Sequence, residues 1–168
     1  MSLPPTELPE SVVERLRIVK ALLGDIHYLT LATADADGRP WASTVWFCAS
    51  LRSPSTERLD VELIWLSRPE ARHSLNLLER PEVGISVFDS QQPADTGVGL
   101  QFAARAERVT RGELEEAVAV FSKASLGAGG NAWSPAQLEA PAPLRAYRAR
   151  PDRAFLLVDG SRAELPLT

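Results

Sequence analysis

The fold of this chain is decided by residues 64–88, IWLSRPEARHSLNLLERPEVGISVF. Apolar and polar residues alternate up to the charged turn of this stretch and again at its end, a pattern typical of two half-buried strands. The alternating apolar residues are Val61, Leu63 and Trp65 in the first strand and Val83, Ile85 and Val87 in the second. The residues between the two strands predict one short helix.

The predicted helix begins close to the end of the first strand. Ser67 and Glu70 have the spacing of a capping box, which marks a helix amino terminus. Leu75 and Leu78 provide an apolar stripe, and Pro81 ends the helix because its backbone has no N–H. We therefore expect a sharp transition from strand to helix at Ser67.

The amino end of this helix predicts an anion site, although a second interpretation fits the same residues. A helix that follows a strand directs unpaired backbone N–H groups and the positive end of its dipole at whatever lies above the strand. Arg72 and His73 add donors, because a guanidinium suits a phosphate and a protonated imidazole donates from both nitrogens. Alternatively, Ser67 is a plain cap, and Arg72 and His73 lie on a solvated face. From the local pattern alone the second interpretation is favoured, since charges on first helical turns are common.

Composition limits the classes of function. The 168 residues, 1–168, fit one domain with its own core. Cys48 is the only cysteine, so no internal disulfide can form, and no paired Cys and His spacing suggests a metal site. The sequence shows no secretory signal and no run of transmembrane length, which predicts a cytoplasmic protein without membrane contact.

The charge pattern favours a small-molecule ligand. The net charge is -4, and Lys and Arg form no dense stripe. Binding to a phosphate backbone requires clustered positive charge, so nucleic acid is not expected as a partner.

The rest of the chain predicts short strands joined by turns, with helices added. A helix at residues 10–24 comes first, and the segment 26–159 should form a barrel. The predicted strands lie at residues 28–33, 39–49, 61–66, 83–88, 100–109, 144–150 and 153–159, and capping patterns precede helices at Ser11, Thr110 and Ser134. This order is typical of a mainly β fold with helices, of the α+β class, built on an antiparallel barrel.

Two residues on these strands have more than one interpretation. Trp46 is most simply a packing residue, in the core or at an interface. Gln101 lies opposite the most apolar face of its strand. It either faces solvent or presents an amide to a ligand.

The order of elements, together with GRPWASTVWF, LSRPEARHSLNLLERPEVGISVF and a later strand that contains Gln101, resembles the pyridoxamine 5'-phosphate oxidase-like superfamily. The resemblance extends over roughly residues 9–159. It implies a Greek-key-like, FMN-binding split barrel and a homodimer with FMN at the subunit interface. It also implies a flavin-dependent oxidoreductase acting on a small molecule.

The resemblance implies a set of cofactor-binding residues but no catalytic residue. The second hairpin strand lines the flavin in this family, and the strand-to-helix turn holds the phosphate. Arg72 matches the family's arginine, His73 stands where lysine is typical, and Gln101 matches a glutamine near the isoalloxazine edge. The complete implied set is Ser43, Thr44, Val45, Trp46, Leu66, Ser67, Arg72, His73 and Gln101.

Departures from the family pattern argue against pyridoxamine phosphate as the substrate. Ala71 stands where a serine is common, and Ser43 and Cys48 stand where the oxidase has Arg and Lys. The oxidase's C-terminal tryptophan-glycine segment and its paired Arg and His substrate ligands are also missing. These changes reduce the positive charge available to phosphate groups.

Two other functions compete with the FMN oxidoreductase. One is a flavin or haem protein that stores or senses its ligand, in which His73 would ligate haem. The other is a reductase that uses a deazaflavin. The chain has only two histidines, and His27, just before a strand, is expected to be structural.

Overall fold

Six antiparallel strands close into a barrel in the computed structural model of the chain, which describes residues 7–168. Residues 1–6 of the predicted domain lie outside the described residues. The elements are α1 (Val12–Asp25), β1 (Tyr28–Ala34), β2 (Pro40–Leu51), β3 (Val61–Ser67), α2 (Arg72–Glu79), β4 (Glu82–Phe88), β5 (Val98–Arg108), α3 (Leu114–Gly127), a short 3-10 helix (Pro135–Gln137), β6 (Arg145–Val158) and β7 (Ser161–Leu165). None of the helices in these described residues is long and apolar enough to cross a membrane.

The strands follow the order β3-β2-β1-β4-β5-β6, and β6 returns to pair with β3. All of these pairings are antiparallel. Closure leaves no free edge in this part of the sheet. The predicted α+β fold with an antiparallel barrel is confirmed.

The long strand β6 makes the closure possible. Its first five residues pair with β3, from Leu63 opposite Ala149 to Ser67 opposite Arg145, and its last five pair with β7. The prediction of two strands separated at Pro151 is wrong. The register between β5 and β6 shifts at this point, and an irregularity accommodates a proline without ending the strand.

The barrel has an apolar interior and one covered outer face. Inward residues such as Leu31, Phe47 and Trp65 belong to one buried cluster, which α1 joins through Leu16 and Val19. Helix α3 covers the outer face of β2, β3 and β6, where a second cluster forms. That cluster includes Cys48, Ile64, Val118, Phe121 and Ala146.

The structure corrects the predicted start of the central helix. Ser67 is the last residue of β3, where it pairs with Arg145, and the N-cap of α2 is Ala71 without a side-chain hydrogen bond. A turn closed by Ala71 N–H donating to the Arg68 carbonyl separates strand from helix. The prediction of a capping box formed by Ser67 and Glu70 is therefore wrong, because Ser67 belongs to strand β3.

The apolar stripe predicted for α2 is also wrong. Leu75 and Leu78 are 50% and 77% exposed. The buried residues of the helix are His73, Ser74, Asn76 and Leu77, so its buried face is mainly polar. This reversal indicates that hydrogen bonds, rather than apolar burial alone, hold α2 against the barrel.

An ion-pair network around the buried Arg148 joins β6 to the start of α3. Two guanidinium nitrogens of Arg148 contact the two carboxylate oxygens of Glu113 at 2.6 and 2.8 Å, and Arg148 also contacts Glu107 at 2.7 Å. The hydrogen bond from Arg148, with a further one from Thr110, lowers the pKa of Glu113 to about 2. Because the folded pKa is lower than the usual 4.5, ionised Glu113 stabilises the fold above pH 4.5.

We predict that Glu113→Gln destabilises the protein at pH 7 by about 1 kcal/mol or more, a value reduced by the partial exposure of the carboxylate. The difference in free energy of unfolding between wild type and variant should shrink as pH falls from 4.5 towards 2. Urea unfolding at several pH values measures this difference. Glu116→Gln, on the exposed first turn of the same helix, is the matched control. A difference that stays constant with pH would contradict the assignment.

Candidate functional site

A polar cluster at one end of the barrel brings together three of the predicted site residues. The Ser67 hydroxyl lies 2.6 Å from His73 Nε2, and His73 Nδ1 lies 3.1 Å from the Ser43 hydroxyl. Ser67 shares the inward face of β3 with Trp65, and Ser43 shares the inward face of β2 with Val45. Helix α2 therefore closes the barrel end through His73.

A second buried contact continues this closure. The Asn76 side-chain amide donates to the Thr33 hydroxyl at 2.8 Å, and that hydroxyl donates to the Trp41 carbonyl at 3.3 Å. Sequence reasoning missed Asn76 and Thr33. The available signal was the position of Asn76 three residues after His73, which places both side chains on one helix face.

His73 is a neutral imidazole in this setting. Only 8% of the residue is exposed, and burial lowers its pKa below the usual 6.5. A neutral ring accepts a hydrogen bond at one nitrogen and donates from the other, which matches one serine on each side. His73 is therefore neutral at pH 7, where lysine in the family's pattern carries a positive charge.

We predict that the stability contributed by His73 is lost on acidification. The unfolded chain takes up a proton near pH 6.5 and the folded chain only at lower pH, so stability is complete above pH 6.5 and falls below it. The free energy of unfolding of wild type relative to His73→Gln should decrease between pH 7.5 and 5. Denaturant titrations measure it, with His27→Gln as the exposed control. A pH-independent difference would show that burial does not depress this pKa.

Arg72 is placed differently from His73. Its guanidinium carbon lies 4.8 Å from the centre of the Trp41 ring, and Nη2 lies 3.6 Å from Asp35 Oδ2. The side chain is 49% exposed. The first intrahelical hydrogen bond of α2 is from Leu75 N–H to the Ala71 carbonyl, so the preceding N–H groups lie at the free amino end of the helix. An accessible cation and helix N–H groups therefore occur together.

The four predicted residues of β2 do not share one face. Thr44 is exposed and Trp46 half-buried on the outer side, whereas Ser43 and Val45 point inward. Val45 belongs to the barrel core, so it could reach an external ligand only through its backbone. The roles predicted for these residues as cofactor ligands stay predictions.

Gln101 is not brought to the same place. Its side chain is exposed on the outer face of the sheet. A row of paired residues crosses the sheet from Gln101 on β5 through Ser86 and Thr30 to Thr44 on β2. Three strand spacings separate Gln101 from Thr44, or roughly 14 Å. Gln101 instead lines a separate cavity of about 330 Å³ beside the loop after β4.

Trp46 and Leu66 line a third location, which we call the aromatic cavity. It has a volume of about 380 Å³ and lies between the end of α3, the loop that follows it, and β2 and β3. The lining residues are Trp46, Leu66, Phe121, Ser125, Ala128, Gly130, Asn131, Trp133 and Leu144. No group of three or more His, Cys, Asp or Glu suited to a metal ion occurs within residues 7–168.

The sequence pattern of the family described as pyridoxamine 5'-phosphate oxidase matches residues 17–158, most of the barrel. The chain belongs to this family. The resemblance inferred from the central strand, helix and strand is thus confirmed. No curated protein matches the chain.

Solved structures share the fold of this pyridoxamine 5'-phosphate oxidase family member. HutZ, the haem storage protein of Vibrio cholerae, is 26% identical, with a TM-score of 0.60 over 86% of this chain and 94% of HutZ. A haem-binding protein of Mycobacterium smegmatis is 21% identical, with a TM-score of 0.67 over 95% of this chain and 60% of that protein. A Clostridium acetobutylicum protein related to general stress protein 26, of the pyridoxinephosphate oxidase family, is 11% identical, with a TM-score of 0.61 over 92% and 95%. The Mycobacterium smegmatis and Clostridium acetobutylicum proteins are under 25% identical to this chain, so their similarity shows only a shared fold.

Proposed function

We propose that this protein is a homodimeric FMN-binding oxidoreductase whose substrate is not pyridoxamine phosphate. Membership of a family that commonly binds flavin supports the proposal. The observation that carries it is the half-exposed Arg72 guanidinium at the amino end of α2, beside the ring of Trp41. Arginine at a helix amino end suits a phosphate group.

The residues present fit a phosphate with one full positive charge and several weaker donors. Arg72 would supply the charge, and the first N–H groups of α2 would add hydrogen bonds. Asp35, 3.6 Å from Arg72, would compete with the phosphate for the guanidinium. Ser67 and neutral His73 would act mainly by fixing the position of α2. This division of roles differs from the family pattern, in which a lysine at the position of His73 supplies a second positive charge.

A bound flavin would supply the hydride chemistry, and the protein would supply binding, orientation and exclusion of water. Cys48 stands where the oxidase has lysine, and burial raises the pKa of its thiol to about 12. Cys48 therefore provides neither a cation nor a thiolate. This supports a substrate without the phosphate of pyridoxamine phosphate.

We predict that Arg72→Ala weakens FMN binding roughly tenfold or more, since a hydrogen bond to a charged group contributes on the order of 1.5 to 3 kcal/mol. Titration of ligand-free protein with FMN, followed by flavin fluorescence, measures the dissociation constant. Arg80→Ala, at the other end of α2, is the control and should bind FMN as wild type does. Equal FMN dissociation constants for wild type and Arg72→Ala would show that Arg72 does not bind the FMN phosphate.

The uncovered outer face of the barrel supports a homodimer. Small residues form a row across β2, β1, β4 and β5, and this row adjoins the polar row that contains Thr44 and Gln101. The small residues are Ala42, Ala32, Gly84 and Ala103. Exposed Trp41, Leu75 and Leu78 add apolar area at the adjoining barrel end, beside and on α2. If a second copy of the chain packed on this face, its Gln101 could lie near Arg72 of the first copy.

We predict that each FMN site takes Arg72 from one subunit and Gln101 from the other. Arg72→Ala and Gln101→Ala homodimers should both bind FMN weakly. Mixed dimers of the two variants should regain one site of wild-type affinity per dimer, because that site receives both intact residues. Differently tagged subunits, purified as mixed dimers and titrated with FMN, give the stoichiometry. If the mixed dimers show no high-affinity FMN site, the proposal that two subunits share the site is wrong. If light scattering shows a monomer, the proposed homodimer is wrong as well.

Haem binding is the second candidate function, supported by the similarity to the haem storage protein HutZ. His73 is poorly placed as a haem ligand, because both of its ring nitrogens already contact serines. His27 is exposed, and its ring centre lies 5.6 Å from that of Trp46. The ligand released on denaturing purified protein separates the candidates, since FMN, a deazaflavin and haem have different absorption spectra.

A further inference from the structure

Arg145, the first residue of β6, carries an inference about a further ligand. Only 9% of the residue is exposed, and within residues 7–168 its guanidinium forms no ion pair with a carboxylate. We propose that a free edge of this guanidinium binds the carboxylate group of a small molecule. The proposed site is separate from the one assigned to FMN and does not depend on a flavin.

The strand register places Arg145 at the barrel end that α2 closes. Arg145 pairs with Ser67, and the next inward pair along the same two strands is Trp65 with Tyr147. The Ser67 hydroxyl is already in contact with His73. The guanidinium of Arg145 therefore lies on the β6 side of this barrel end, next to the loop that precedes β6.

The guanidinium of Arg145 is used on one side only. Its Nη1 donates to the Leu144 carbonyl at 2.6 Å and to the Ala142 carbonyl as well, which fixes the side chain against the loop. In the part of the chain that the structure describes, Nε is buried without a hydrogen-bond partner, and Nη2 makes no hydrogen bond either. The Nε–H and Nη2–H groups form a planar fork that matches the two oxygens of a carboxylate. Holding the loop thus leaves this fork free.

Two other arginines of β6 show what the same fork binds in this protein. Nε and Nη2 of Arg148 contact Glu107 Oε1 at 2.9 and 2.7 Å. Nε and Nη2 of Arg153 contact the two carboxylate oxygens of Glu164 at 2.9 and 3.2 Å. In both cases a carboxylate occupies the edge that is free in Arg145.

The missing counter-charge is costly at this depth. A buried guanidinium loses hydration, and two backbone carbonyls replace that hydration only in part. Glu139, the carboxylate of the preceding loop, pairs with Arg111 at 3.2 Å and does not serve Arg145. An oxyanion on the free fork would supply both the missing charge and the missing acceptors.

Other unpartnered polar atoms lie on the elements that meet at this barrel end. Trp65 Nε1 on β3 and Ser74 Oγ on α2 are buried without a hydrogen-bond partner among the described residues, as Arg145 Nε is. Trp65 is a diagonal neighbour of Arg145 in the pairing of β3 with β6, at roughly 7 to 8 Å. All three groups can donate a hydrogen bond and none is negatively charged, so this end of the barrel favours an anion over a cation.

The position of the fork separates it from the phosphate site proposed at Arg72. Arg72 lies over the ring of Trp41 on β2, whereas Arg145 is on β6, and β3 lies between these two strands. A carboxylate also suits the fork better than a phosphate does. It is planar and carries one charge, whereas a phosphate monoester carries nearly two, which are more costly to bring to a buried group.

Side-chain NMR of the full chain tests the proposal. In protein labelled with ¹⁵N-arginine, the Nε–H signals of Arg145 and Arg153 are assigned by their loss in Arg145→Lys and Arg153→Lys. Sodium acetate should shift the Arg145 signal in a saturable way, whereas neutral acetamide and sodium chloride at the same ionic strength should not. The Arg153 signal should stay in place, because Glu164 already occupies its fork.

A variant that keeps the charge tests the fork itself. Arg145→Lys should weaken acetate binding roughly tenfold or more, because an ammonium group cannot form the paired contact. The rise of the thermal unfolding midpoint with acetate concentration measures binding, and each protein is compared with its own midpoint in sodium chloride. Arg108→Lys, at the exposed end of β5, is the matched control and should bind acetate as wild type does.

Inorganic phosphate and FMN complete the test. Phosphate should bind more weakly than acetate, and saturating FMN should not displace acetate. An Arg145 signal that acetate leaves unchanged would overturn the proposal, because Nε would then contact buried water only. Tighter binding of phosphate, or displacement of acetate by FMN, would overturn the separate carboxylate site. Acetate binding that requires Arg145 in a protein that binds no FMN would support the site and reject the flavin function.

Discussion

The structure depends on the buried polar contact between α2 and the barrel end. His73 contacts Ser67 and Ser43, and Asn76 contacts Thr33, so three strands are tied to one face of a short helix. An eight-residue helix has little stability of its own. Directional hydrogen bonds fix its rotation, and that rotation points Arg72 and the apolar Leu75 and Leu78 outward. The contact that closes the barrel thereby also creates the exposed surface available to a ligand or a second subunit.

The outer surface of the barrel has two different parts. Helix α3 packs over β2, β3 and β6 and buries Cys48. The face formed by the first half of β2 with β1, β4 and β5 carries small and polar side chains, and no helix within residues 7–168 covers it. Trp46 lies at the boundary, where it contacts Phe121 and lines the aromatic cavity. A ligand site at this boundary would border both the core under α3 and the open face.

Charge at the candidate site is sparse. Arg72 is its accessible cation, and Asp35 lies close to it. Burial keeps His73 neutral and keeps the Cys48 thiol protonated. The family fold is thus retained with fewer positive groups than the oxidase pattern contains. The candidate site therefore offers an anionic group one half-exposed guanidinium.

Local pattern predicted the elements well where strands alternate. In β5, Leu100, Phe102 and Ala104 are buried while Gln101 and Ala103 are exposed, as the alternation required. The first residues of helices were less predictable. The Ser-x-x-Glu spacing at Ser67 is typical of a helix start, but Ser67 pairs with Arg145 in the sheet. β7 was missed, and β6 was divided at Pro151, because strand ends depend on pairing partners far away in the chain.

The sequence by itself determined most of the strand and helix order, the barrel class and the family, because alternation, turns and motif spacing are local properties. Only the tertiary structure decided which candidate residues meet. Ser43, Ser67 and His73 converge because the barrel closes, whereas Gln101 lies across the sheet. Burial, which no local pattern contains, lowers the pKa of His73 below its usual 6.5. Proximity and protonation depend on what surrounds a side chain in space, and that is set when distant strands pair.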